Sequence, residues 1–207
     1  AVELAWELDK NNKERRELTQ TCVDRAIIQV EKDQTNNPVL FVFDHEWRTG
    51  IVGLIASRIK EKYQKPTIAM AMNDGTLTGS GRSITGFDMI GSLQEIPEYF
   101  IKFGGHPMAC GFSLISPEQK ENFQKALIEQ YNIKTKGIDM TPSVDIDAEV
   151  ALEDINWELY DSLEKFEPFG QENNKPIYMA KGLEIVTLQP MGKDKTHLRI
   201  MVTHNTN

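Results

Sequence analysis

Residues 104–112 read Gly-Gly-His-Pro-Met-Ala-Cys-Gly-Phe, a stretch in which three glycines and other small residues surround one histidine. Gly104, Gly105 and Gly111 permit positive φ and lack the Cβ that would keep a ligand or a neighbouring strand at a distance. His106 can donate to a phosphate oxygen or move a proton near neutral pH. The motif therefore predicts a phosphate-handling loop, and a tight strand entry with a structural imidazole is the alternative.

The composition is that of a soluble globular protein. The chain has 207 residues, 40% hydrophobic and 26% charged, which fits one large domain or two small ones. No apolar run approaches the roughly 20 residues that span a bilayer, and the N-terminus lacks the basic flank of a signal peptide. We therefore expect a cytoplasmic protein with no membrane partner. Cys22 and Cys110 are too few for a disulfide framework or a zinc site, and both are interpreted as reduced thiols.

The charge is unevenly distributed along the chain. The net charge is −8, with 17 Lys+Arg against 19 Asp+Glu in residues 1–140 and 6 against 12 in residues 141–207. A protein that coats nucleic acid through a broad positive field needs clustered Lys and Arg. Any contact with a polyanion is therefore expected to be local and to lie in the first part of the chain.

Hydrophobic periodicity predicts an α/β domain upstream and downstream of the glycine motif. A long helix is expected over residues 2–33, with apolar residues at every fourth position from Leu18 to Val30 and a charged first half. The continuous apolar run 39–43 predicts a strand covered on both faces, placed at the centre of the sheet. The remaining expected elements are helices over 50–63, 88–96 and 117–131 and strands over 67–72, 76–83 and 110–115.

A polar stretch at residues 132–143 predicts a domain boundary. Beyond it we expect strands over 144–148, 177–188 and 197–203 and a helix over 156–166. Trp157, Tyr160 and Phe166 of that helix are interpreted as core contacts, since base stacking would need aromatics exposed on a sheet. The chain ends just after the last expected strand, which predicts a fragment of a longer protein.

Two further stretches carry residues suited to binding an anion. In Gly79-Ser80-Gly81-Arg82-Ser83, a guanidinium stands beside two hydroxyls, a combination that binds phosphate well, although such a pattern also occurs in ordinary turns. Arg48 precedes the expected helix 50–63, whose N-terminus offers free amides to an anion, with Trp47 as a packing anchor in the alternative reading.

These stretches in their order resemble the RecJ family of single-strand-specific exonucleases. The resemblance rests on His45–Arg58 (His-Glu-Trp-Arg-Thr-Gly-Ile-Val-Gly-Leu-Ile-Ala-Ser-Arg), Gly79–Ser83 and Phe103–Phe112, which look like the family's DHH-associated domain. Asn12–Arg16 is similar to its connecting helix, and Leu163–Asn173 to the opening of its oligonucleotide-binding domain. The resemblance covers essentially the whole chain, and the order of the motifs is more specific than any one of them.

The resemblance implies an α/β fold with three parts. These are a connecting helix at residues 1–35, a DHH-associated domain with a mixed sheet flanked by helices at 36–135, and a partial OB-like β-barrel segment at 136–207. It also implies that Ser80 and Arg82 hold the 5′ phosphate of single-stranded DNA and that His106 lies beside the scissile phosphate as the catalytic residue. The other implied substrate-binding residues are Ser83, Gly104, Gly105, Arg48 and Arg58. Arg48 replaces the family's usual histidine, and Cys110 its usual alanine.

The resemblance places the metal ligands elsewhere. In the family a separate DHH domain carries Mn²⁺ or Mg²⁺, whereas no Asp-His-His occurs here and Asp44-His45-Glu46 is only a superficial echo. We therefore expect no metal site in this chain and no nuclease activity from it alone. Single-stranded DNA is the implied ligand, and a single-strand-binding protein or a helicase is a candidate partner in repair and recombination.

Two other functions remain open from the sequence. The chain could come from a DHH phosphodiesterase that acts on oligoribonucleotides or cyclic dinucleotides, although the Pro168-Phe169-Gly170-Gln171 extension argues against it. It could also be a non-catalytic adaptor that binds single strands.

Overall fold

The computed structural model describes residues 2–170, 172–192 and 195–204. The chain divides into two compact units, Ala1–Pro142 and Ser143–Asn207, and each is described by itself.

In its described residues, the first unit combines four α-helices with a five-stranded sheet. Its helices are α1 (Val2–Asp33), α2 (Thr49–Tyr63), α3 (Met89–Gln94) and α4 (Lys120–Lys134), with short 3₁₀ turns at Pro97–Tyr99 and Pro117–Gln119. Its strands are β1 (Leu40–Asp44), β2 (Thr67–Asn73), β3 (Thr76–Arg82), β4 (Phe100–His106) and β5 (Ala109–Leu114). The prediction of a long N-terminal helix followed by a mixed sheet flanked by helices is confirmed.

The strand order β1-β2-β3-β5-β4 gives the sheet two differently covered faces. β1 runs parallel to β2, and the other neighbours are antiparallel. One face is apolar from β1 to β4, where Phe41, Met70 and Phe112 pack against α3 and α4. On the other face the apolar core against α1 and α2 includes Leu40 and Ala69 but, among the described residues, none from β3, β4 or β5. Beyond β2 this second face is therefore polar. α2 still lies over β3, and the face is open at Gly111 of β5 and along Lys102, Gly104 and His106 of β4.

β1 is an edge strand, so the prediction that it lies at the centre of the sheet is wrong. The apolar run is explained by helices on both faces, because Val39 and Phe41 join one core and Leu40 and Val42 the other. Continuous hydrophobicity reports covered faces and not position within the sheet.

Residues 104–112 form a hairpin and not the expected loop. β4 and β5 pair antiparallel up to His106 opposite Ala109, so that Pro107 and Met108 alone make the turn. The backbone amide of Met89 donates to the carbonyl of Pro107 and that of Ser83 to the carbonyl of Met108, both at 2.9 Å, which anchors this turn to the rest of the unit.

The second unit consists of short elements. They are β6 (Ala148–Glu149), α5 (Trp157–Glu164), β7 (Tyr178–Met179), β8 (Leu183–Met191) and β9 (His197–His204), with a 3₁₀ turn at Leu152–Asp154. β6 pairs parallel with β7, and β8 pairs antiparallel with β9. The expected strand over 144–148 is thus reduced to its last residue and Glu149.

Trp157 and Tyr160 of α5, and Phe166 beyond its end at Glu164, are exposed and do not form a core. Trp157, Tyr160 and Phe166 are 80%, 50% and 62% exposed, so their assignment as core contacts is wrong. The spacing of Trp157 and Tyr160 is that of one face of a helix, but burial of that face requires a surface that packs against it. Within the described part of this unit no residue is fully buried.

None of the helices within the described ranges is both long and apolar enough to cross a membrane.

Candidate functional site

The open face of the sheet carries three rows of residues that run across β3, β5 and β4. Because side chains alternate between faces along a strand, every second residue belongs to this face. From one end to the other, the rows are Thr78, Ser113 and Lys102; Ser80, Gly111 and Gly104; and Arg82, Ala109 and His106. The face thus presents cationic and hydroxyl-bearing residues around a strip of glycine.

The first two rows and α2 enclose a cavity of about 540 Å³. A volume of this size is typical of small-molecule or cofactor sites. It is lined by Thr49, Gly50, Val52 and Gly53 of α2, Thr78, Gly79 and Ser80 of β3, Lys102, Phe103 and Gly104 of β4, and Gly111, Phe112 and Ser113 of β5.

The floor of this cavity is bare because its glycines face open space. A Cβ added to Gly104 would meet no heavy atom within 4 Å, and one added to Gly111 would meet only the Gly79 carbonyl oxygen at 3.9 Å. Packing within the chain therefore does not demand glycine at either position. The missing side chains leave room for a ligand to approach the backbone.

Arg82 is held beside the cavity by neutral oxygen atoms. Its Nε donates to Ser57 Oγ at 3.1 Å, and its Nη1 donates to Ser80 Oγ at 2.9 Å and to the Gly81 carbonyl at 2.8 Å. Ser57 Oγ in turn donates to the Gly53 carbonyl at 3.0 Å. The guanidinium is partly buried, yet no carboxylate within the described ranges pairs with it.

α2 accommodates this arginine because it carries a glycine at the point of contact. A Cβ on Gly53 would lie 2.9 Å from Arg82 Nη2 and 3.4 Å from Ser80 Oγ. No acceptor for Nη2 is found in the described part of the chain, so this nitrogen is available to an anion. A charged group that is taken out of water normally has a partner of opposite charge. The arrangement is therefore typical of an arginine that binds an anionic ligand.

The structure brings four of the predicted site residues together. Ser80 and Gly104 line the cavity and share a row, and Arg82 contacts Ser80 directly. His106 is exposed at the end of β4, in the same row as Arg82, and does not line the cavity.

The other predicted residues lie elsewhere or have structural contacts. Ser83 is buried, and its hydroxyl donates to the Phe87 carbonyl at 2.6 Å. Gly105 has φ of +147°, a region that favours glycine, and an added Cβ would lie 2.2 Å from the Ala109 carbonyl oxygen. Arg58 is exposed and pairs with Glu61 at 3.2 Å. Arg48 lines a separate cavity of about 620 Å³ with Asn11, Glu14, Arg15, Leu18, Gly50 and Ile51.

The sequence did not predict three residues of the site, which are Lys102, Ser57 and Gly53. Lys102 could have been found, because it stands two and four residues before Gly104 and His106 and shares their face of β4. The contact between Ser57 and Arg82 joins a helix to a strand 25 positions away, and no local pattern encodes it.

Cys110 lies in the core on the opposite face of the sheet, and its thiol has low reactivity. Burial raises the pKa of its thiol from 9.0 to about 11, and the Gly81 amide and the Arg82 charge oppose this only in part. A thiol with such a pKa is protonated at neutral pH and is a weak nucleophile.

The residues of the described ranges do not form a metal site, since no group of three or more His, Cys, Asp or Glu side chains is placed to hold an ion. Asp44 and Glu46 instead pair with Arg25, at 3.5 and 2.8 Å.

Two family models match the chain and together define its class. The DHHA1 domain matches residues 36–132, which contain the sheet and the open face. The RecJ OB domain matches residues 146–207, within the second unit. A DHHA1 domain followed by this OB domain places the chain among the DHHA1-domain proteins, and the expected fold class is confirmed.

Sequence similarity over the whole chain identifies a particular family within this class. The single-stranded-DNA-specific exonuclease RecJ of Bacillus subtilis is 31% identical over 100% of this chain, and that of Salmonella typhimurium is 35% identical over 96%. The chain belongs to the RecJ family. It spans 26% and 35% of the length of these two relatives.

Solved structures agree with this fold. The crystal structure of RecJ in complex with Mn²⁺ from Thermus thermophilus superposes with a TM-score of 0.81 at 21% sequence identity, over 97% of this chain and 29% of that one. The Mg²⁺ complex of the same protein gives a TM-score of 0.79.

Proposed function

We propose that this chain is the substrate-binding part of a RecJ-type exonuclease that degrades single-stranded DNA from the 5′ end. Its open face would bind the 5′ phosphate and the adjoining backbone. The observation that carries the proposal is Arg82, a partly buried guanidinium fixed by Ser57 and Ser80 and lacking a carboxylate partner among the described residues. Arginine binds phosphate strongly because its planar fork matches two phosphate oxygens.

The surrounding residues divide the work of binding. Nη2 of Arg82 donates to the terminal phosphate, and Ser80 fixes the arginine, because its hydroxyl accepts from Nη1 and donates to the Cys110 carbonyl at 3.1 Å. The bare glycine floor at Gly104 and Gly111 lets the sugar-phosphate backbone approach the sheet. His106 stands in the Arg82 row and is exposed to the bound strand, where it positions or protonates the scissile phosphate.

Bond cleavage is assigned to a metal centre outside these 207 residues. The Thermus relatives were solved with Mn²⁺ and Mg²⁺, and such ions activate water for phosphodiester hydrolysis. The described residues of this chain do not fit such an ion, so its share is to bind and orient the strand. The RecJ OB match favours the exonuclease over a phosphodiesterase of short oligoribonucleotides or cyclic dinucleotides.

The test is the binding of this chain to a short single strand that carries either a 5′ phosphate or a 5′ hydroxyl, followed by fluorescence anisotropy at low salt. We expect the wild type to prefer the phosphate and Arg82→Ala to lose that preference. Arg16→Ala is the matched control, because it removes the same charge from an exposed arginine of α1 that lies outside the cavity.

Equal affinity for the two ends, or equal losses in both variants, would reject the end-binding pocket. The same protein is expected to show no digestion of the strand with Mn²⁺ or Mg²⁺ added. Robust metal-dependent digestion by the pure chain would refute the assignment of cleavage elsewhere.

A further inference from the structure

We propose that Lys102 binds a second phosphate of the single strand, at the opposite end of the open face from Arg82 and His106. This inference rests on the proposed function and extends it, because it sets how much of the strand the face engages. Among the described residues that line the cavity, Lys102 is the one with a positively charged side chain.

The register of the sheet separates Lys102 from the other two cations. Lys102 and His106 lie on the same face of β4 four residues apart, which corresponds to about 13 Å along a strand. Arg82 shares the row of His106 on β3, two strands away, a lateral distance of about 10 Å. The row of Ser80, Gly111 and Gly104 lies between these ends.

Lys102 has no evident structural task. Its side chain is exposed, and within the described ranges it makes no ion pair or hydrogen bond. Its cross-strand neighbours in the row are Ser113 and Thr78, both with hydroxyl groups and without charge. An unpaired ammonium beside a cavity floored by glycine is suited to a phosphate on the backbone of a bound strand.

The distance between Lys102 and the row of Arg82 and His106 predicts how long a ligand must be to contact Lys102. Lys102 is about 16 Å from Arg82, the residue proposed to hold the 5′ phosphate. A stacked strand advances about 3.4 Å per nucleotide, so this distance spans about five stacked nucleotides, and fewer if the strand is extended. A nucleotide with a single phosphate cannot reach both ends of the face. Lys102 should therefore contribute to the binding of oligonucleotides and not of mononucleotides.

The experiment compares the wild type with Lys102→Ala, Lys102→Arg and Arg82→Ala in binding a 5′-phosphorylated ten-nucleotide strand across a salt series. A 5′-phosphorylated mononucleotide is measured as a competitor. Lys125→Ala is the matched control, since Lys125 is an exposed lysine on α4, which packs against the opposite face.

We expect Lys102→Ala to lower the affinity for the oligonucleotide about three- to tenfold. The magnitude of the slope of log affinity against log salt should fall by about 0.7. The affinity for the mononucleotide, obtained from the competition, should be unchanged by Lys102→Ala. Lys102→Arg should bind the oligonucleotide as tightly as the wild type does.

Two results would overturn the inference alone: Lys102→Ala matching Lys125→Ala while Arg82→Ala loses binding, or Lys102→Ala weakening the mononucleotide as much as the oligonucleotide. Absence of strand binding by the wild type would instead overturn the proposed function and the inference together.

Discussion

Single residues determine whether the open face can receive a ligand. Ser80, Arg82, Gly104 and His106 could be predicted as candidates because each stands in a short stretch of small residues with a phosphate-binding side chain. Their arrangement could not be predicted, since it depends on the register between β3, β5 and β4 and on the two-residue turn after His106. Ser83 directly follows Arg82, where β3 has ended, yet it is buried and its hydroxyl donates to the Phe87 carbonyl.

The neighbouring glycines at 104 and 105 are expected to respond in opposite ways to alanine. Gly104→Ala should change the free energy of unfolding by less than about 0.5 kcal/mol, because the added methyl meets no atom. Gly105→Ala should cost about 2 kcal/mol or more, because it combines φ of +147° with a backbone clash. Urea unfolding of both variants measures this, and equal losses would contradict the described geometry. Gly104→Ala should also lower the affinity for single-stranded DNA, although the variant keeps its stability.

Cys110 predicts a specific dependence of stability on pH. Its pKa is raised from 9.0 to about 11 by burial, so between these values the unfolded chain releases the proton while the folded chain keeps it. The stabilisation is complete below pH 9 and is lost as the pH rises toward 11, by about 2 kcal/mol at pH 10.5.

The measurement is urea unfolding under reducing conditions at pH 8 and pH 10.5, for the wild type and Cys110→Ala. The variant lacks the titrating thiol, so its stability should fall less over this interval. Parallel losses in the two proteins would argue against a buried, protonated thiol.

At the scale of elements, β1 shows why hydrophobic pattern alone misplaces a strand. Its covered faces were predictable, but its outer edge is satisfied by side chains of the preceding segment. Gln29 exchanges two hydrogen bonds with the backbone of Phe43 at 2.9 and 3.0 Å, and Gln34 does the same with Phe41 at 2.8 and 2.9 Å. These amides complete the edge as a further strand would. Nothing local in the sequence marks either glutamine for this role.

Gln34→Ala is expected to lower the free energy of unfolding by about 1–2 kcal/mol, because it leaves a partly buried N–H and C=O of Phe41 without their partner. Gln20→Ala is the control, as its amide makes one exposed bond to Asp24 on α1 and should cost much less. Chemical denaturation compares the two. Equal effects would mean that the edge amides contribute no more than a surface contact.

At the scale of the whole molecule, charge and burial separate the two units. The acidic second part, with 6 Lys+Arg against 12 Asp+Glu, has no fully buried residue among those described, whereas the first carries the two cores and the open face. That any polyanion contact is local and lies in the first part stays a prediction, which the binding experiments on Arg82 and Lys102 test. Order and spacing of motifs were sufficient to predict the α/β domain, but they could not predict which face of its sheet stays open. That depends on where α1 and α2 end their coverage.

We propose that the face formed by β3, β5 and β4 binds the 5′-phosphorylated end of a single strand. The most direct measurement is the titration of isotope-labelled chain with a 5′-phosphorylated oligonucleotide, followed by the chemical shifts of its backbone amides. We expect the largest changes at Ser80, Arg82, Gly104 and Gly111, with the amides of α4 on the opposite side of the sheet unaffected. Changes confined to α4, or to the second unit with this face silent, would contradict it.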